Sequence, residues 1–518
     1  MKIYTKYAKN IANKKHKSKK NDNKEKPSTH LPSQAQKRNI FATIDENFGF
    51  LHSILGDGLG LVEGKYDVLE GQAQVGVAYI EGITDIKLIS SQVIEPLLKG
   101  KIDAKIGFDG ILLLMQSKFI SIPNTKRTDQ MEQVVDSLLN GNTVLFIDHL
   151  DTALIIGSRK VEKRAIEKPE NEVTVFASKD SFIEDLETNC SMIIRRLPTP
   201  DLHIETFTVG VLSHTKVKLL WFEGTANTKA VEEARRRIKS IDIDTVYGIG
   251  ALAELIEDAP WSVFPKYRQS QRPDIIAKSL IDGQFAILCS NSPFALAAPI
   301  SFWDHFKTMD DYVERSLVSS FLRMARFIAF ILSIQIAPVY LAFVAYNHSI
   351  VPPPLALNIA NGREGVPFPS VVELLILTFA ITLIREASMR VSGSVGFFIG
   401  VLSAIVIGTA AVDAGYVSAS VIIVAAIAAI SSFAISTTTL IYPARLINYF
   451  LILLAGAFGL FGVINGTVII FWHLAALESF GVPYLYPFVP FDLEGMKDTF
   501  IRAPYSVLKK RCKKLIRC

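Results

Sequence analysis

The stretch Gly56-Asp57-Gly58-Leu59-Gly60-Leu61-Val62-Glu63-Gly64-Lys65 has the composition of a phosphate-binding loop. That chemistry needs the spacing G-x-x-x-x-G-K followed by Ser or Thr, so that backbone N–H groups and the lysine converge on phosphate oxygens. Here three residues separate Gly60 from Gly64-Lys65, and Tyr66 stands where the Ser or Thr belongs. The dinucleotide spacing fails as well, because Glu63 occupies the third glycine position. A turn is expected instead. His149, with Asp148 and Asp151, could bind a metal or move a proton, but no partner cluster at ligand spacing accompanies it. It reads as a loop end. No G-x-S-x-G elbow and no H-E-x-x-H pair occurs. No catalytic, cofactor-binding or metal-binding residues are assigned, and the chain is not read as an enzyme.

The remaining chemistry lies in apolar sequence. From Ser392 to Tyr442 two long apolar runs flank Val412-Asp413-Ala414-Gly415-Tyr416. Crossing a bilayer takes ~20 helical residues, and a continuous rather than alternating pattern favours helices over a barrel. Ser432, Ser436 and Thr439 follow at helical spacing and are candidate pore-lining hydroxyls on one helix face. Each could equally bond the carbonyl four residues earlier in its own helix. The candidate functional charges are Arg363, Glu364, Glu373, Arg385, Glu386 and Asp413. Arg385, Glu386 and Asp413 lie at segment ends, whereas Glu373 falls inside an apolar run, where an ionisable group is costly and a functional candidate by default. Gly396, Gly400 and Gly408 form one small-residue stripe, and Gly459, Gly462 and Gly466 another. Such stripes let helices approach closely, either between subunits or within one.

The elements that position these residues follow from patterning. The chain has 518 residues, is 49% hydrophobic and carries a net charge of +5. Residues 1–40 are polar and basic and read as a disordered tail. A first soluble subdomain spans 41–165, with helices at Phe41–Leu55 and Thr128–Leu139. Its expected strands are Val75–Ile80, Ile111–Met115, Thr143–Ile147 and Ala153–Ile156. A second spans 172–310, with helices at Ser181–Arg196 and Thr228–Ser240, strands at Ile204–Ser213 and Lys216–Phe222, and a hairpin through Asn291-Ser292-Pro293. The fold class is therefore a mixed α/β region in two subdomains, followed by an all-α polytopic membrane domain at 316–482 and a basic tail at 483–518.

Within the membrane domain the expected spans are about 321–346, 393–412, 417–435 and 448–480. Arg323 and Arg326 are expected to snorkel at the start of the first. The run 371–384 is short and suits a re-entrant helix. The last span is too long for one straight crossing and is either a tilted helix or a hairpin. If both tails and the soluble region are cytoplasmic, the crossings are even in number: four with a re-entrant segment, the preferred count, or six with a hairpin. Cys190, Cys289, Cys512 and Cys518 lack metal spacing and are expected as free thiols. No apolar h-region follows the basic N-terminus, so no secretory signal is expected.

Several short motifs occur in a telling order: Leu255-Ile256-Glu257-Asp258, Phe264-Pro265, Arg272-Pro273-Asp274, Ser292-Pro293-Phe294-Ala295, Arg363-Glu364-Gly365-Val366-Pro367-Phe368-Pro369, Arg385-Glu386-Ala387, Ala410 to Gly415, Phe458 to Gly462 and Ser479 to Tyr484. In that order the chain resembles the A subunits of GerA-family spore-germination receptors over roughly Leu51 to Arg511, and a late-sporulation membrane paralogue of the same fold. It departs from them at Phe176-Ala177-Ser178-Lys179-Asp180, where relatives carry an Arg-Gly-Pro-rich segment. The resemblance implies a multi-pass protein of the spore inner membrane. Its partners would be a transporter-like B subunit that binds the nutrient, a lipoprotein C subunit and further copies of itself, with no nucleic acid. Together the copies would form an ion-conducting path that the nutrient opens. A secondary transporter would show inverted repeats, and none is seen. A non-conducting membrane scaffold of the germination complex is the other reading.

Overall fold

In the computed structural model, residues 38–506 are described, except 57, 70, 72, 102–107, 161–171, 173, 175, 390–405, 407, 494 and 505. The chain divides into two units, the first running to Val161 with Pro198–Pro200, the second holding the rest.

The first unit is an antiparallel sheet of five strands with helices packed on it. Helix α1 (Ile44–Leu55) precedes β1 (Leu61–Val68) and β2 (Ala73–Ile80), and α2 (Phe108–Leu114) lies before β3 (Thr125–Thr128). Helix α3 (Met131–Leu139) then leads to β4 (Thr143–Ile147) and β5 (Ala153–Ile156). The sheet order is β1-β2-β4-β5-β3. The glycine-rich stretch is only partly a turn, since Leu61 onward is strand paired with β2. The run Ile111–Met115, expected as a strand, is helical. Ile111, Leu112 and Met115 are buried while Leu113 is exposed, which is one face of a helix and not the alternation of a strand.

The second unit begins with the same plan. Helix α4 (Leu186–Arg196) precedes β6 (Leu202–Val209) and β7 (Thr215–Phe222). Helices α5 (Thr228–Lys239) and α6 (Ile249–Ile256) come before β8 (Arg268–Ser270), α7 (Pro273–Ile281), β9 (Phe285–Cys289) and β10 (Ala295–Ala298). The sheet order, β6-β7-β9-β10-β8, repeats that of the first.

The likeness reaches single residues. Buried Asn47 bonds both the N–H and the C=O of Phe41, and buried Asn189 does the same to Ile183. Gly141 and Gly283 both turn the chain at positive φ, 85° and 96°. Past them, Asn142 N–H bonds Ser137 C=O and Gln284 N–H bonds Ser279 C=O. One spacing along the chain separates every such pair. The two subdomains are therefore two copies of one α/β fold. Cys190 and Cys289 are buried free thiols within the second copy.

A 3-10 turn at Phe302–Phe306 and a short helix α8 (Asp310–Val313) lead into the helical region. Its helices are α9 (Ser316–Ala345), α10 (Pro353–Asn361), α11 (Ser370–Met389), α12 (Ala419–Phe433) and α13 (Thr438–Ala476). Among the described residues, α9 and α13 are long and apolar enough to cross a membrane. The run expected at 371–384 forms a 20-residue helix. Most of the span expected at 393–412 lies outside the described residues, with Gly396 and Gly400.

Helix α13 is folded back on itself. Gly459 sits inside it with φ 59° and ψ −141°, a conformation that is not helical. Asn448 donates to the carbonyls of Ser333 and Ile334, at 3.1 and 2.9 Å. Gln335 donates to Thr467 Oγ1 at 2.8 Å. A straight helix would hold residues 448 and 467 about 28 Å apart, so both cannot reach the same turn of α9. The segment is thus a hairpin with its bend at Gly459, and the tilted-helix alternative is excluded. A Cβ on Gly462 would overlap the Leu454 carbonyl, and one on Gly466 would lie 2.7 Å from Leu451 and Leu454 side-chain carbons. This small-residue stripe therefore packs the two arms of one chain together. Gly408 meets Ile422 more loosely.

Candidate functional site

The densest chemistry lies where the second α/β copy joins α9, and the sequence motifs converge there. Pro265 C=O accepts hydrogen bonds from Tyr484 Oη at 2.7 Å and from His305 Nε2 at 3.2 Å. Ser479 Oγ donates to Lys266 C=O, and Ile300 N–H donates to Ser479 Oγ. Asp258 takes Phe480 N–H and Arg237. Around these bonds pack Phe264, Phe302, Trp303, Phe306, Leu440, Leu474 and Tyr484. Of the segment from residue 483 onward, expected as a basic tail, Tyr484, Leu485, Phe488 and Phe500 pack in this core, and Arg502 is 3% exposed. Phe176 and Ala177, in the departing segment, give their backbone N–H groups to Asp310.

An ionic cluster fills the same junction. Arg323 is 1% exposed; its Nε lies 3.3 Å from Asp311 and its Nη1 lies 3.0 Å from Asp498. Nη1 also donates to Thr499 C=O at 2.9 Å. Arg326 pairs with Asp311 and donates to Phe306 C=O. Both arginines therefore point into a protein-lined cluster and do not snorkel. The reason is that Asp311 and Asp498 converge on the start of α9 from either side in sequence. Burial pushes the Asp311 carboxyl up, but Arg326 and Arg323 outweigh it and hold it below its ordinary value. Asp498 is held down against burial by Lys307, Lys278 and Arg323.

The same face of the fold can be compared in the two copies. Arg268, Lys278 and Gln284 line a space of about 20 Å³ beneath the connector residues Asp304, Lys307 and Tyr312. Arg268 donates to the carbonyls of Asp304 and Lys307. The matching positions in the first copy, Lys126, Asp136 and Asn142, line a cleft of about 220 Å³. The corresponding surface of the second copy carries the connector.

His305, wholly buried, makes the junction sensitive to acid. Burial pushes its imidazole down from 6.5 to about 4, against the raising effect of the Pro265 carbonyl. The unfolded chain therefore takes up the proton first as pH falls. The His305 contribution to stability is constant above pH 6.5 and declines from there toward pH 4, by up to ~1.4 kcal/mol per pH unit. Thermal unfolding of wild type and His305→Gln at pH 7 and pH 5 checks this. The variant is expected to lose less between the two pH values, and equal losses would contradict the assignment.

A second polar site lies among the apolar helices. Glu373, in the first turn of α11, is fully buried. Its Oε2 accepts both Ser418 N–H and Ser418 Oγ at 3.0 Å, so it caps the N-terminus of α12 from another helix. Arg363 Nη2 stands 3.5 Å from Oε1, which has no hydrogen bond, and Arg363 Nε is likewise buried without one. Tyr340 Oη donates to Ser420 Oγ beside them. The structure therefore brings Arg363 and Glu373 together. Glu364 is exposed on a turn, Asp413 is exposed at the end of a short helical stretch, and Glu386 is exposed on α11.

The hydroxyl stripe does not exist as one helix face. α12 ends at Phe433, and Thr438 opens α13, so a break falls between Ser432 and Thr439. Ser432 Oγ accepts from Arg385 Nη1 at 2.8 Å and donates to Ala429 C=O. Ser436 Oγ donates to His305 C=O at 2.6 Å, which ties this break to the junction. Thr439 Oγ1 is buried with no hydrogen bond.

This is a protein of buried polar joints between α/β and helical parts; among the described residues no group of His, Cys, Asp or Glu could hold a metal ion. The profile of the family described as Bacillus/Clostridium GerA spore germination protein matches residues 52–514. The chain belongs to that family. It is 35% identical over 457 residues to the uncharacterized membrane protein YfkQ of Bacillus subtilis strain 168, covering 87% of this chain and 88% of the relative. To spore germination protein KA of the same strain it is 34% identical, covering 85% and 81%. To GerLA of Bacillus cereus it is 35% identical, covering 84% and 88%. A solved structure, the N-terminal domain of the A subunit of the Bacillus megaterium spore germinant receptor GerK3, aligns at 26% identity with a TM-score of 0.41, over 51% of this chain and 98% of that one.

Proposed function

We propose that the chain is the A subunit of a nutrient-responsive germination receptor, in which copies of it surround an ion-conducting path. A transporter-like B subunit binds the germinant, and a lipoprotein C subunit completes the complex. The protein spans the spore inner membrane with its α/β copies and C-terminal segment on the cytoplasmic side. The hairpin at Gly459 and the 20-residue α11 favour six crossings over four. The observation that carries the reading is the fully buried Glu373, with one oxygen unbonded, set among apolar helices against Arg363. A carboxylate in such a place is expensive and serves a pathway or a switch. Because it ties the Arg363 loop and the α12 N-terminus to α11, it holds the helices in one of two arrangements. Nutrient binding at the B subunit opens the path only by favouring the other arrangement. Among the hydroxyls, Thr439 remains a candidate for the path, whereas Ser432 is engaged by Arg385 and Ala429 and Ser436 is engaged at the junction.

The test is potassium release from spores that carry Glu373→Gln, given a mixture of amino acids and sugars. The variant keeps an acceptor for Ser418 and loses the charge facing Arg363. Release without nutrient, or loss of the nutrient response at normal protein level, is expected. An unchanged dose response would remove Glu373 from the mechanism.

A further inference from the structure

Trp261 is 98% exposed, at the tip of a loop that is otherwise fixed in place. Lys266 Nζ donates to Ala259 C=O at 2.8 Å, and Ser262 N–H donates to the same carbonyl at 3.0 Å. Ser262 Oγ lies 2.9 Å from His473 Nε2, in the last turns of α13. The Phe264 ring also sits beside His473, 6.2 Å between centroids. The loop is therefore clamped to the end of an apolar helix, with the indole projecting outward. At that end of the hairpin both arms carry exposed aromatic residues with polar tips, Tyr442 at 50% and Trp472 at 74% exposure. Val263, next to the loop tip, is 43% exposed.

We propose that the Ala259–Val263 loop of the second α/β copy is a membrane anchor, with Trp261 seated in the headgroup region of the leaflet that faces this copy. An indole has an apolar body and one N–H donor, and it is stable where hydrocarbon meets wet headgroups. Trp261, Trp472 and Tyr442 then form one aromatic band contributed by two parts of the chain. The loop is already ordered by its bonds to Lys266 and His473, so seating it in lipid orders little else. The anchor fixes the α/β copy against the bilayer at the point where it grips α13. It rests on the bilayer placement proposed above.

The experiment uses the full chain in vesicles of phosphatidylcholine and phosphatidylglycerol whose acyl chains are brominated either close to the headgroup or near the bilayer centre. Tryptophan emission is recorded for wild type, Trp261→Phe and Trp472→Phe. The emission removed by each substitution reports that residue, and neither substitution alters the core because both side chains are exposed. The expected result is that the Trp261 component is quenched by shallow bromines more than by deep ones and is shielded from aqueous iodide. A Trp261 component quenched only by iodide, while Trp472 responds to bromines, would leave the loop in water and overturn the anchor. A Trp261 component reached by neither would mean that another protein surface covers it, with the same consequence. If the Trp472 component also escapes the bromines, the bilayer placement itself falls.

Discussion

Arg323→Ala is expected to destabilise the protein by about 3–5 kcal/mol, because removing the buried arginine leaves Asp311 and Asp498 one positive partner short. Asp311 would retain Arg326, but Asp498 would lose its 3.0 Å contact, and Thr499 C=O would lose its donor. Arg323→Lys keeps the charge without the fork and is expected to lose part of this. Thermal unfolding in detergent, with Arg323→Ala, Asp311→Ala and the double variant, measures the coupling. The double variant should cost clearly less than the two single losses added. A loss below ~1 kcal/mol for Arg323→Ala is the signature of a solvated pair and would return the arginine to the snorkelling role.

The second large effect concerns the bend in α13, and its sign is diagnostic. In an ordinary helix interior Gly→Ala stabilises by ~1 kcal/mol. Gly459→Ala is expected to destabilise instead, by ~1–3 kcal/mol for the backbone strain. The new methyl adds a clash, since it would lie 2.9 Å from a Tyr346 ring carbon. Gly462→Val should be at least as damaging, because its Cβ would overlap the Leu454 carbonyl. Unfolding midpoints of the detergent-solubilised variants decide between the two signs. A stabilised Gly459→Ala protein would mean that residues 438–476 run straight.

The inner strands of both sheets are legible in the sequence as short apolar runs punctuated by glycine, asparagine and aspartate, whereas the polar edge strands β1, β3 and β8 carry no such signal. The helix at Thr228 shows itself by an Asn227 cap and an apolar stripe at Ala230, Val231, Ala234 and Ile238. Ile111–Met115 was misassigned because five consecutive apolar residues carry no period, and only partners decide between strand and helix. The duplication escaped because core positions exchange freely among apolar residues. Its firmest marks, Asn47 with Asn189 and Gly141 with Gly283, are single polar or special-backbone positions scattered in apolar context.

The polar sites were legible in proportion to their isolation. Glu373 stands out as one charge in an apolar run, and Arg363 as part of a motif, although their pairing needs the third dimension. The junction cluster was missed because Asp311 and Asp498 look like surface residues in sequence and are brought to Arg323 from opposite sides of the helical region. The hydroxyl face failed because spacing predicts one face only if the helix continues, and it breaks between Phe433 and Thr438.

The most direct measurement of the central claim is potassium flux from liposomes that contain the purified chain, alone and together with its B and C partners, before and after the nutrient mixture is added. The account predicts flux that appears or rises with the partners and nutrient together, and that Glu373→Gln alters. No flux in any combination, with oligomers of the chain confirmed in the same vesicles, would contradict it and leave a structural role in the receptor.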